Sequence, residues 1–218
     1  MFFNFCRNRC LKNIRKRFNK VREVALIAKR ELNESKARGT MANNLHLVWV
    51  DCEMTGLNYD CDRIMEIAAI ITNAHIEEIA NIGPLVIKTD ANVLRSMNDW
   101  CKEHHANSGL TKACLESNLS IEDADNRLYQ FLSEYNISNA PLAGNSVSVD
   151  RIFLQKWCPK FSSLLHYRTV DVSTLKELVK RWYPNATAFE KRSTHRALDD
   201  IRESISELKF YKQKYFIN

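Results

Sequence analysis

The sequence predicts an α/β domain: a mixed sheet of five strands with helices on its faces. Two observations point there. Three apolar, β-prone runs joined by short links come first, and helical and strand patterns then alternate to the end of the chain. A length of 218 residues with 45% hydrophobic content is enough for one full core.

The first run, Leu45, Leu47, Val48, Trp49 and Val50, ends in two carboxylates, Asp51 and Glu53, before a Thr55-Gly56 break. Residues 63–72 (RIMEIAAIIT) read as a second buried strand, and residues 76–87 as a third, broken at Gly83-Pro84. Short links make these three an antiparallel meander. Residues 90–119 are polar and irregular, with Trp100, His104 and His105 clustered, and are expected to form short helices. Ser120 can cap a helix whose apolar stripe is Ala124, Leu128, Phe131 and Leu132. A short strand at 141–144, a helix from Asp150 to Trp157 and a strand at 167–170 follow. Residues 175–182 read as a helix stopped before Pro184. The last helix is expected over about 196–211, with Leu198, Ile201, Ile205 and Leu208 inward.

Charge divides the chain in two. Of 32 Lys/Arg and 26 Asp/Glu, residues 1–40 hold 12 and 3, which leaves 20 and 23 for residues 41–218. The globular part is therefore mildly acidic, and a nucleic-acid partner would be held by local contacts and bridging metal ions, because a broad basic surface is missing. The first forty residues are basic, with no acid before Glu23 and apolar residues at helical spacing (Leu11, Ile14, Phe18, Val21, Ala25, Ala28). That pattern fits a mitochondrial transit segment; a basic arm for nucleic acid or a membrane surface is the alternative. The expected division is a targeting segment at 1–40 and the globular domain at 41–218, with Met41 placed to start an untargeted cytoplasmic or nuclear form. No apolar run of eighteen residues exists, so no membrane-spanning helix is expected. Seven cysteines without CxxC spacing read as reduced thiols.

The chemistry begins at Asp51 and Glu53. Alternation along a strand sends both to one face and Cys52 to the other. Two carboxylates side by side at the end of a buried strand are costly unless a cation sits between them, which points to a divalent metal site. An acidic pair facing water is the plain alternative. Asp150 follows Gly144-Asn145-Ser146 at a helix entry, where Ser148 or Asp150 could be the cap. Ser193 or Thr194 could cap the last helix, which would put Asp200 in its second turn and His195 at its entry. Four carboxylates and one imidazole that can converge are what a two-metal phosphoryl site needs.

Asp51-x-Glu53, Asp150 and His195-x4-Asp200 resemble the DEDDh group of 3′→5′ exonucleases. The match is closer to its oligoribonuclease branch, through Trp49 to Leu57, Trp100-Cys101-x-Glu103-His104-His105, residues 108–111 (SGLT), Gly144-Asn145-Ser146, residues 167–174 (YRTVDVST) and His195 to Ile201. The resemblance covers about residues 44–215 and departs from the branch pattern at Cys52 and at Ser148-Val149. It implies a ribonuclease-H-like exonuclease fold. It also implies that Asp51, Glu53, Asp150 and Asp200 hold two divalent ions, Mg2+ or Mn2+, while His195 takes the proton from water. Asp199 would point away and be structural. For substrate, it implies Leu57 wedged between bases, Trp100 stacked on one, and His105 close by. Ser146, Arg168 and Ser173 would form a 5′-phosphate pocket that Tyr167 of a second subunit completes. The expected activity is cleavage of short RNA, chiefly dinucleotides, to mononucleotides by a homodimer. A DEDDh exonuclease for longer single strands of DNA or RNA is the alternative, and a silent RNA-binding module is disfavoured by the presence of all five active residues.

Overall fold

The computed structural model describes residues 45–185, 187–190 and 196–216. The readings made for residues 1–40 and for His195, Ser193 and Thr194 lie outside them.

Five strands form one mixed sheet in the order β3-β2-β1-β4-β5. β1 (Leu47–Met54), β2 (Ile64–Thr72) and β3 (Glu78–Val86) make the expected antiparallel meander, and β4 (Ala140–Gly144) and β5 (Leu165–Asp171) add in parallel on the other side of β1. β1 runs through Asp51 and Glu53 to Met54 and stops before the Thr55-Gly56 break, as expected, and both acids keep antiparallel partners on β2, Ala68 and Glu66. One strand reading needs correction. β3 is not broken at Gly83-Pro84. As an edge strand it tolerates the missing proline N–H, and the register shift there is a bulge opposite Ala68. Glycine is required at that bulge: with φ +105°, a Cβ at position 83 would lie 2.9 Å from the Ile67 carbonyl oxygen.

Alternation along β1 divides the core. Val48, Val50 and Cys52 face α4 (Ile121–Glu134), α5 (Ser148–Trp157) and α6 (Pro159–Ser163), meeting Leu128, Leu132, Phe153, Leu154 and Phe161. Trp49 faces the other way, toward α7 (Val172–Trp182) and α8 (Ala197–Tyr215), with Ile70, Ala143, Val179, Ile201 and Ile205. β2 lies between these layers, which is why all nine of its residues are buried and its sequence is apolar apart from Glu66 and Thr72. Three short helices, α1 (Ala91–Ser96), α2 (Asp99–Asn107) and α3 (Leu110–Glu116), close a smaller cluster around Met65, Leu94 and Cys101.

Local signals account for several helix ends. The Ser120 hydroxyl accepts the Asp123 N–H at 3.0 Å and caps α4, as expected. Asp125, buried in α4, accepts the Lys160 and Phe161 amides at 3.1 and 2.8 Å and so caps α6 from a neighbouring helix. α5 departs from expectation: Val147 is its N-cap residue, and neither Ser148 nor Asp150 caps it. In α8, Leu198 is only partly buried, while Ser204, Glu207 and Tyr211 join Ile201, Ile205 and Leu208 on the inner face. The described cysteines 52, 61, 101, 114 and 158 are all free thiols.

Candidate active site

The alternation of β1 carries the site. Asp51 and Glu53 follow Trp49 on the face covered by α8, and Asp200 lies in the first turn of that helix. Ligand atoms of Asp51, Glu53 and Asp200 all lie within 4.8 Å of one another. Asp200 is one turn nearer the helix start than the sequence suggested, because α8 begins at Ala197. Asp199 is exposed, as its position around the helix requires.

Asp150 reaches the same strand end from α5. β4 pairs with β1 only at Val48 and Trp49, so the β1 backbone beyond that point lacks a strand partner on this side. The Cys52 N–H instead donates to Asp150 Oδ1 at 3.0 Å, and Asp150 is 7% exposed. Thus the structure brings three of the four expected acids into one cluster and ties the fourth to the backbone between two of them. The chain can turn there because Gly144 ends β4 against β1, where a Cβ would lie 2.9 Å from the Val50 carbonyl oxygen.

Crowding shows in the titration of these groups. The Glu53 carboxyl is pushed from 4.5 up to about 7, by burial first and then by the charges of Asp200, Glu66 and Asp150, with Arg196 opposing. Burial likewise raises Asp150, against the pull of its Cys52 hydrogen bond. Carboxylates held together at this cost are a donor set for a hard divalent cation, whose charge removes the repulsion.

Beside the acids lies a cavity of about 550 Å³ lined by Cys52, Glu53, Met54, Leu57, Trp100 and His105. Leu57 and Trp100 are 74% and 63% exposed, large apolar surfaces left open at its mouth. Trp100 stacks on His104 with ring centroids 4.2 Å apart. His105 is more enclosed than expected: its ring is buried, Nε2 meets the Met54 carbonyl oxygen at 2.9 Å, and Nδ1 is 3.9 Å from Glu53 Oε2.

Two of the expected residues, Ser146 and Ser173, meet where β4 and β5 end. Asp171 Oδ1 accepts the Ser146 and Ser173 amides at 3.0 and 2.9 Å, and the two serine hydroxyls stand 3.2 Å apart. Arg168 is exposed on β5, its guanidinium over the Tyr167 ring at 5.1 Å. Tyr167 is 75% exposed.

Sequence reasoning missed Glu66. It lies opposite Glu53 on β2, is fully buried, and binds Arg196 at 2.8 and 3.2 Å and the Ala197 amide at 3.1 Å. A lone carboxylate in an otherwise apolar strand was the available signal.

Comparison with known proteins gives a family match, close relatives in sequence and neighbours in fold. The exonuclease family, of ribonuclease T type, matches residues 48–208. The mitochondrial oligoribonuclease of Homo sapiens is 49% identical over 173 residues, 78% of this chain and 73% of its own. The oligoribonuclease of Francisella tularensis subsp. novicida is 46% identical over 170 residues, 78% of this chain and 95% of its own. Among solved structures, exonuclease I of Methylocaldum szegediense superposes with a TM-score of 0.58 at 15% identity, which speaks for the fold. That match covers 78% of this chain, which spans 41% of the exonuclease I chain. With the acids, the sheet order and the family match all on residues 48–208, the chain belongs to the oligoribonuclease family of exonucleases.

Proposed function

We propose that the protein is a 3′→5′ exoribonuclease that degrades short oligoribonucleotides, chiefly dinucleotides, to mononucleotides. The observation that carries this reading is the convergence of Asp51, Glu53 and Asp200 beside a cavity with open apolar walls. Asp51, Glu53, Asp150 and Asp200 would hold two Mg2+ or Mn2+ ions, and the all-carboxylate donor set and the raised Glu53 pKa fit that occupant. When bound, such ions polarise the phosphate and acidify water.

The protein's own groups do the rest. The Cys52 amide fixes Asp150 in place, so that this acid needs no reorganisation when substrate enters. Leu57 and Trp100 offer faces on which bases stack whatever their identity. His195, assigned from the sequence, takes the proton of the attacking water. The paired hydroxyls of Ser146 and Ser173, with Arg168 swung from its tyrosine, would receive a 5′ phosphate. Tyr167, exposed on the open edge strand β5, is free of its own core and suits a partner's site in a homodimer. The basic segment at 1–40 and the relatives named as mitochondrial support a mitochondrial location. Among the described residues no helix is long and apolar enough to cross a membrane.

The test is a time course on 5′-labelled RNAs of two to seven nucleotides, with Mn2+ or EDTA, for wild type and Asp150→Ala. Metal-dependent cleavage fastest on the dinucleotide and lost in the variant supports the reading. Rates that rise with length would return the protein to exonucleases for longer strands.

A further inference from the structure

Glu66 stands in a position where its chemistry is expensive. Every neighbour on β2 from Ile64 to Ala68 is apolar, and a buried carboxylate carries a heavy desolvation cost unless its partners offset it. Its charge also opposes ionisation of Glu53 across the strand pair. An apolar residue would fill the same space without repelling Glu53. What it could not do is hold the start of α8.

That start has no cap of its own, since Arg196 occupies the N-cap position and offers no side-chain acceptor. Glu66 Oε1 takes the Ala197 N–H, and both carboxylate oxygens take the Arg196 guanidinium. A negative charge at a helix N-terminus also complements the positive end of the helix dipole. The first turn then continues rigidly, with the Asp200 N–H on the Arg196 carbonyl at 3.0 Å.

We propose that Glu66 is a positioning residue for the metal site: by clamping Arg196 and the Ala197 amide to β2, it sets Asp200 against Asp51 and Glu53. The proposal rests on the reading that these carboxylates hold a divalent cation. Because Glu66 and Glu53 are paired in register, the clamp fixes the helix to the strand pair that carries the other two acids.

Calorimetric titration of Mn2+ into wild type, Glu66→Gln and Glu66→Ala tests it, with amide hydrogen exchange of residues 197–200 followed in the same full-length proteins. Glutamine keeps an acceptor for the Ala197 amide and drops the ion pair; alanine drops both. The expected result is a loss of Mn2+ affinity of about 10–100-fold in Glu66→Ala, a smaller loss in Glu66→Gln, and faster first-turn exchange in the same order. A merely structural Glu66 would lower Tm and leave the Mn2+ affinity of folded molecules unchanged, and that outcome overturns the proposal. If Glu66→Ala does not fold, Glu66→Gln and Arg196→Gln carry the test, and wild-type affinity with wild-type exchange in both overturns it. The RNA time course run beside it separates the two claims, since protein that binds Mn2+ and cleaves no RNA refutes the activity while the Glu66 comparison stands.

Discussion

Without metal, the protein is expected to lose stability as pH rises from 5 to 8, and Glu53 is one reason. Its folded pKa, about 7, lies above the ordinary 4.5, so between these values the folded state binds more protons than the unfolded one. Stability from this group is therefore complete below about pH 4.5 and is lost as pH rises through 7. At about 1.4 kcal/mol for each tenfold change in proton affinity, the loss approaches ~3 kcal/mol. For a domain of this size that lowers Tm by roughly 6–12 °C. Asp150, also raised by burial, acts in the same direction, so the comparison must isolate Glu53. Glu53→Gln does so, since it cannot ionise. Thermal melts in EDTA at half-unit steps of pH should show wild type falling more steeply than Glu53→Gln, with the variant the more stable protein at pH 8. Added Mn2+ should restore wild type at pH 8 by mass action and help the variant less. Parallel pH profiles for the two proteins would refute the argument that the acids repel one another in the folded state.

Three further outcomes follow from single contacts. Thr72→Val removes the acceptor of the fully buried Trp49 indole N–H, a 2.9 Å bond, and should cost about 1–3 kcal/mol in urea unfolding. Asp125→Ala strips the cap from α6 and should cost about 1–2 kcal/mol, with faster amide exchange at Lys160 and Phe161 and cleavage chemistry unchanged. Replacing Ser146 and Ser173 together by alanine should raise KM for a 5′-phosphorylated dinucleotide about tenfold or more and leave that for its 5′-hydroxyl counterpart nearly unchanged, as steady-state kinetics would show.

Much of the site was legible because it follows from period-two alternation and from local motifs. Asp51 and Glu53 share a face with Trp49, and Cys52 faces the other core, as strand geometry alone requires. Ser120 caps α4 because its partner is three residues away. The misreadings have a common cause. β3 continues through Gly83-Pro84 and α5 starts without a side-chain cap, because cross-strand partners and burial outweighed local signals. Glu66 was passed over for the same reason, since its partners Arg196 and Ala197 are 130 and 131 residues away.

The sequence by itself determined the fold class, the strand faces, the identity of the acids and the family they resemble, since each is written in residue type and short-range spacing. Only the tertiary structure decided that α8 brings Asp200 within 4.8 Å of Asp51 and Glu53, that the Cys52 amide holds Asp150, and that Glu66 clamps the helix start. Those facts depend on where distant segments pack, and the free energy that places them is buried apolar area on both faces of the sheet, which no local pattern records.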